Sequence, residues 1–169
     1  SVYLRRLHER GLLFRSGRGL YTLSRRDISA NHSLAEACLR TPHGVVCLLS
    51  ALRFHGLTTQ APPEVWLAID WKARAPKPGT PTLRIARMSG EALRACVEEH
   101  QVEGVAVRVF GAAKTVADCF KFRNKIGLDV ALEALRDYRR SHRAGMDALW
   151  RFARICRVAK ASRTRSTML

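Results

Sequence analysis

Several sets of residues have types and spacings that could support chemistry. Asp70-Trp71-Lys72 closes an apolar run with Glu64 upstream. This is the carboxylate-x-Lys pattern with which metal-dependent nucleases hold a divalent cation and activate water. The match is poor, because Glu64 and Asp70 sit too close on one strand and no acidic cluster surrounds them. Five cysteines, Cys38, Cys47, Cys96, Cys119 and Cys156, are odd in number and never spaced C-x-x-C, against both a disulfide frame and a zinc site. Cys38, Cys47 and Cys119 lie inside apolar helical patterns, where a free thiol serves as a small core residue. His55, between Phe54 and Gly56 at a helix end, is placed to cap carbonyls rather than to catalyse. There is no phosphate-cradling glycine loop, nucleophile elbow or H-E-x-x-H helix. The sequence therefore points away from an enzyme, and neither metal nor cofactor is expected.

Charge points elsewhere. Thirty Lys and Arg against fourteen Asp and Glu give a net charge of +16, which favours a polyanionic partner through counterion release, nucleic acid first. Three basic groupings stand out. On the opening helical segment, Leu4 and Leu7 would face a core and leave Tyr3, Arg5, Arg6 and His8 for bases or phosphates. Beyond it, Gly17 and Gly19 allow a tight turn that brings Arg15 and Arg18 to a DNA backbone or minor groove. Arg151, Arg154, Arg157 and Lys160 form a stripe at spacing three, open to DNA or RNA contact or to solvation alone. A fourth set, Lys114, Asp118, Lys121 and Lys125, recurs at spacings of three and four. The residue types favour a solvated helix face, with Lys114 pairing to Asp118 across one turn for a few tenths of a kcal/mol.

The elements that must position these residues read as follows. Ser1 to Arg10 is helical, Gly11 ends it, and 12–15 with 20–23 form strand, turn, strand: the second half of a winged helix. A first helix of the main domain runs from Ser29 to Leu39 and stops before Pro42. Gly44 to Phe54 reads as a central core helix, Glu64 to Ile69 as a strand, Lys72 to Pro81 as a mobile loop, and Thr82 to Ala86 as a strand. Ser89 is placed to cap a helix. Val105 to Phe110 alternates as a strand, Ala112 to about Lys125 is helical, and Asp129 to Tyr138 and Gly145 to Val158 add two helices. The class expected is α+β: the C-terminal half of a winged helix-turn-helix over 1–27, then a mixed α/β domain over 28–160 with helices clustered late, and a disordered tail over 161–169. The longest apolar run, starting at Val45, is far short of the roughly 18 residues a membrane span needs, so no membrane partner is expected.

Gly11 to Tyr21, Val46 to Gln60 and above all Val109 to Arg136, with Lys114-Thr115-Val116-Ala117-Asp118-Cys119-Phe120-Lys121-Phe122-Arg123-Asn124-Lys125-Ile126-Gly127 at its centre, resemble the AbiEi family of type IV antitoxins. The resemblance spans about Leu4 to Lys160. It implies a cytoplasmic antitoxin of an abortive-infection system that also represses its own operon, through a winged helix binding operator DNA at inverted repeats. It further implies a nucleotidyltransferase-like AbiEii toxin as functional partner, neutralised without need of a stable complex, and assigns antitoxin function to Lys114, Asp118, Lys121, Arg123 and Lys125. The family begins with further winged-helix residues ahead of the position of Ser1, and 161–169 lacks the apolar and aromatic ending expected after Val158. The residues leave a second reading open: a general winged-helix regulator whose second domain binds protein or RNA, with no toxin. A toxin gene next door would separate the two.

Overall fold

Short runs of β-branched residues, each too apolar to stand in water, supply the centre of the main domain. The computed structural model describes residues 13–17, 20–23, 31–142 and 147–154. Among them the order is β1 (Leu13–Gly17), β2 (Leu20–Leu23), α1 (His32–Arg40), β3 (Val45–Val46), α2 (Leu48–Phe54), β4 (Val65–Asp70) and β5 (Leu83–Met88). There follow α3 (Glu91–Arg94), β6 (Val97–Val102), β7 (Val105–Phe110), α4 (Ala112–Lys121), α5 (Arg123–Ile126) and α6 (Leu128–Ser141), with a last helical stretch, α7, over 147–154. Strands β1 and β2 pair antiparallel as the sequence leads one to expect, Leu13 opposite Leu23, with an irregularity between Arg15 and Gly17.

The other five strands make one mixed sheet in the order β5-β4-β3-β7-β6, parallel at β4/β5 and β3/β7 and antiparallel elsewhere. Alternation along a strand sends neighbouring side chains to opposite faces. Val65, Leu67, Val107 and Val109 meet Leu34, Ala35, Ala37 and Cys38 of α1 on one side. Trp66, Ala68, Met88 and Phe110 meet α2, α4, α6 and Phe152 of α7 on the other. The architecture is therefore α+β, a mixed five-stranded sheet between helices. Among the described residues no helix is long and apolar enough to cross a membrane.

Four local expectations are corrected. Val45 and Val46 are not the start of a helix but the middle strand; both are wholly buried, and an apolar run packed on both faces has no period that separates strand from helix. The helix α2 begins only at Leu48, whose φ of 46° lies in the left-handed region, a strained conformation held by a side chain completely enclosed in the core. Ser89 does not cap α3: Gly90 occupies the cap position. Strand β6 was not foreseen, because Glu98, Glu99 and Gln101 are exposed and only its ends are valines, as suits the polar edge of a sheet. Its turn to β7 passes through Glu103 and Gly104, both at positive φ (52° and 75°), as a two-residue hairpin of right-twisted strands requires. The 72–81 loop is pinned rather than loose: Arg40 Nη2 donates to the Lys77 carbonyl at 2.8 Å, and Arg87 Nη1 donates to the Ala73 carbonyl at 2.7 Å.

Since β3 is two residues long, the ladder beside Trp66 stops early. The Cys47 amide donates to the Trp66 carbonyl at 3.0 Å, and the buried Ser50 hydroxyl accepts from the Trp66 amide at 2.9 Å. A side chain thus completes the hydrogen bonding of a central strand. Ser50→Ala leaves that amide buried without its acceptor and is expected to lower unfolding free energy by about 1–3 kcal/mol in urea titration; an unchanged midpoint would contradict this role.

Candidate functional site

The helix α4 starts directly after β7, with Gly111 as its N-cap residue, and its residues Ala113 to Cys119 are all buried. Val116 and Cys119 belong to the apolar core. Lys114 and Asp118 lie in the same stretch, and they are 0% and 1% exposed. This overturns the expectation of a solvated face. Spacing alone could not show it, because α4 is covered by α2 on one flank and α6 on another. Lys114 Nζ donates to Asp118 Oδ2 and stands 4.2 Å from the centre of the Phe110 ring. One carboxylate and one aromatic face thus replace the water this ammonium gives up.

The pair is joined to the rest of the domain through Phe110. Its carbonyl accepts from His55 Nε2 at 2.8 Å, which ties the end of α2 to the end of β7. The Thr115 hydroxyl lies 2.9 Å from the Gly111 carbonyl and 3.2 Å from that of Phe110, against the first turn of α4. His55 therefore does bond a carbonyl, though one supplied by a strand rather than by its own helix. Cys47 and Cys119 are buried nearby. Burial pushes both thiols well above their ordinary value, and the charge of Asp118 adds to the effect. Cys38, on the buried side of α1, is raised by burial as well, with Arg108 opposing. These three thiols are core residues; Cys96 is exposed.

One turn beyond Asp118 the chain comes to the surface. The helix breaks at Phe122, so Ala112 to Lys125 is two helices rather than one. Lys121 is half-buried, whereas Arg123 and Lys125 are exposed. Lys121 Nζ and Lys125 Nζ lie 5.6 and 5.7 Å from the Phe122 ring centre, and Arg123 Nη1 donates to the Phe120 carbonyl at 2.9 Å. Two cations therefore flank one aromatic ring where α4 ends and α5 begins, with Arg123 tied to the carbonyl of Phe120 beside them. Their charge also complements the carbonyl end of α4.

The other sequence candidates fall as follows. Tyr3, Arg5, Arg6, His8, Arg18, Arg157 and Lys160 lie outside the described residues, and of Arg15 only its place in β1 is given. Glu64 precedes β4 and Asp70 ends it, roughly 20 Å apart at about 3.3 Å per residue, so they fail to share an ion because they are distant, not because they are close. Glu64 Oε2 instead meets Arg84 Nε at 3.3 Å, and Asp70 Oδ1 accepts from the Lys72 amide at 2.9 Å. Among the described residues no group of three His, Cys, Asp or Glu side chains comes together as a metal site. An open hollow of about 630 Å³ is lined by Glu91, Ala95, Cys96, Arg151, Phe152 and Arg154, mixed in charge. No family model matches the chain, and no curated protein matches it.

A buried ion cannot lose its partner cheaply. Lys114→Met or Asp118→Leu alone is expected to cost about 3–5 kcal/mol in urea denaturation, and the double variant to recover most of that loss. Additive losses would show that the pair is not the main coupling. The thiols give a second test. A thiol whose folded value is raised keeps its proton in the fold after the unfolded chain has released it. Its stabilisation is complete below the ordinary value of 9.0 and is lost as pH rises above it. Stability should fall above that pH by up to about 1.4 kcal/mol per unit for each buried thiol, and less steeply in Cys47→Ala and Cys119→Ala than in the parent.

Proposed function

We propose that this chain is the antitoxin of a type IV toxin-antitoxin system, acting in the cytoplasm as a non-enzymatic antidote to a nucleotidyltransferase-like toxin and as repressor of the operon they share. The observation that carries this reading is how the segment resembling the AbiEi family divides. Its first half, around Lys114 and Asp118, is a core brace. Its second half carries Arg123 and Lys125 into solvent beside Phe122. Antidote function therefore rests with Lys121, Arg123 and Lys125, and Lys114 with Asp118 supports it by holding α4 in place. A nucleotidyltransferase works on polyanions, nucleotides and nucleic-acid acceptors. An antidote that relieves such a toxin without holding it is well served by surface cations that engage the same polyanions.

Repression belongs to the other end of the chain. The hairpin of β1 and β2 suits a wing, with Arg15 on it, and the segment with Tyr3, Arg5, Arg6 and His8, helical by its sequence pattern, would lie in the major groove at inverted repeats.

Coexpression with the toxin tests the division. Arg123→Glu with Lys125→Glu should abolish growth rescue while leaving the melting temperature close to that of the parent, because both side chains are exposed. Arg15→Ala should weaken repression of an operon reporter and leave rescue intact. Full rescue by the doubly reversed variant would sink the proposal.

A further inference from the structure

The turn that follows β4 carries a feature which the antitoxin reading does not use. Trp71 is 55% exposed, whereas Trp66, five residues earlier and inside β4, is only 7% exposed. Indoles are usually well buried, and this one is held in solvent by a built turn rather than by a loose end. The Trp71 amide donates to the Met88 carbonyl at 2.9 Å, which continues the β4/β5 pairing past Asp70. The Asp70 side chain and carbonyl then accept from the Lys72 and Ala73 amides, each at 2.9 Å. Arg87 Nη1 donates to the carbonyls of Trp71 at 3.0 Å and Ala73 at 2.7 Å. Arg40 fixes the far side of the loop through the Lys77 and Pro81 carbonyls.

The charge around this indole is of one sign. From Trp71 to Gly90 the chain has Lys72, Arg74, Lys77, Arg84 and Arg87 and no Asp or Glu at all. Asp70, just before, is taken up in capping the turn, and Glu64 is turned to Arg84. Lys72, Arg74 and Lys77 are exposed.

We propose that this turn is a binding site for single-stranded nucleic acid, with a base stacked on Trp71 and the backbone phosphates met by Lys72, Arg74 and Lys77. An exposed aromatic face next to several spread cations is what base stacking on an unpaired strand needs, and it is tolerant of sequence because every base has a π-face. A duplex hides those faces, so it offers this site only phosphates. The preformed turn removes the ordering cost that a floppy loop would charge against binding. The proposal is independent of the antitoxin reading, since the site lies on the β4–β5 connection and not on α4 or α5.

The test uses the full chain and fluorescence anisotropy with labelled oligo(U), oligo(dT), an abasic strand and a duplex, all of equal length. Trp71→Ala should weaken oligo(U) and oligo(dT) roughly tenfold or more and Trp71→Phe much less, while the abasic strand and the duplex bind parent and variant alike. The more tightly held of the two base-bearing strands names RNA or DNA as the source. Lys72→Ala with Arg74→Ala should flatten the salt dependence by about 0.7 per cation removed. Trp150, 59% exposed on α7 beside Arg151 and Arg154, is the control: Trp150→Ala should leave affinity within about twofold. Equal affinity of parent and Trp71→Ala overturns the proposal. So does an equal loss on the abasic strand, which would make the site purely electrostatic, or a loss confined to Trp150→Ala. Absence of binding to either strand at low salt overturns it too, and leaves a protein partner as the occupant of the indole. Melting curves of each variant separate loss of contact from loss of fold.

Discussion

An ammonium group enclosed in an apolar core has to be neutralised where it stands, since taking a charge out of water costs several kcal/mol that only a well-placed counter-ion offsets. Lys114 is wholly buried, and the carboxylate that meets it comes from its own helix, one turn later. Both partners therefore arrive together whenever α4 forms. Pairing within one helix demands little closure entropy, so the charge needs no distant segment to meet it. What tertiary packing must still supply is the Phe110 face, and this comes from the strand immediately before the helix.

From that constraint much of the domain follows. Phe110 must end β7 in a fixed orientation, and its carbonyl is held by His55 from α2 and approached by Thr115 from α4. The end of one helix, the end of a strand and the start of another helix are thus joined at one oxygen atom. Because α4 cannot rotate without exposing the ion pair or pulling Lys114 off the Phe110 ring, the direction in which it delivers Lys121, and after the break Arg123 and Lys125, is set as well. A buried pair with no chemistry of its own can in this way determine the geometry of the surface patch proposed to act.

What could be read from the residues follows the same physics. The alternation of Val105, Val107 and Val109, the apolar spacing of α6 and the pairing of β1 with β2 were legible, because each buries one face or joins two strand-forming runs across a short connection. Val45 and Val46 were not, because a strand buried on both faces has no period. Strand β6 was hidden by its polarity. Among the site residues, Lys125 was placed correctly on the outside, but Lys114 and Asp118 were misplaced: Lys and Asp four apart look the same on a wet face as in a dry core. The one clue was their setting, flanked by Ala113, Thr115, Val116, Ala117 and Cys119 with little polarity to face water. The clamps by Arg40 and Arg87 link residues far apart in sequence to carbonyls, which carry no side-chain signature.

The excess of positive charge is also not evenly spread over the sheet, and the strand order turns this into a direction. One edge is β5, with Arg84 and Arg87 and the acid-free loop before it; the other is β6, with Glu98 and Glu99 on the strand and Glu103 at its turn. Four strand spacings of about 4.8 Å separate them, roughly 19 Å, about two Debye lengths at physiological salt. The acids on β6 therefore do little to screen the cations at β5, which leaves the β5 side the more positive of the two edges. Charged edges also discourage two sheets from joining through their unpaired strands. The same segregation that keeps the sheet from extending thus gives its basic edge the sign of field that the nucleic-acid site proposed at Trp71 requires.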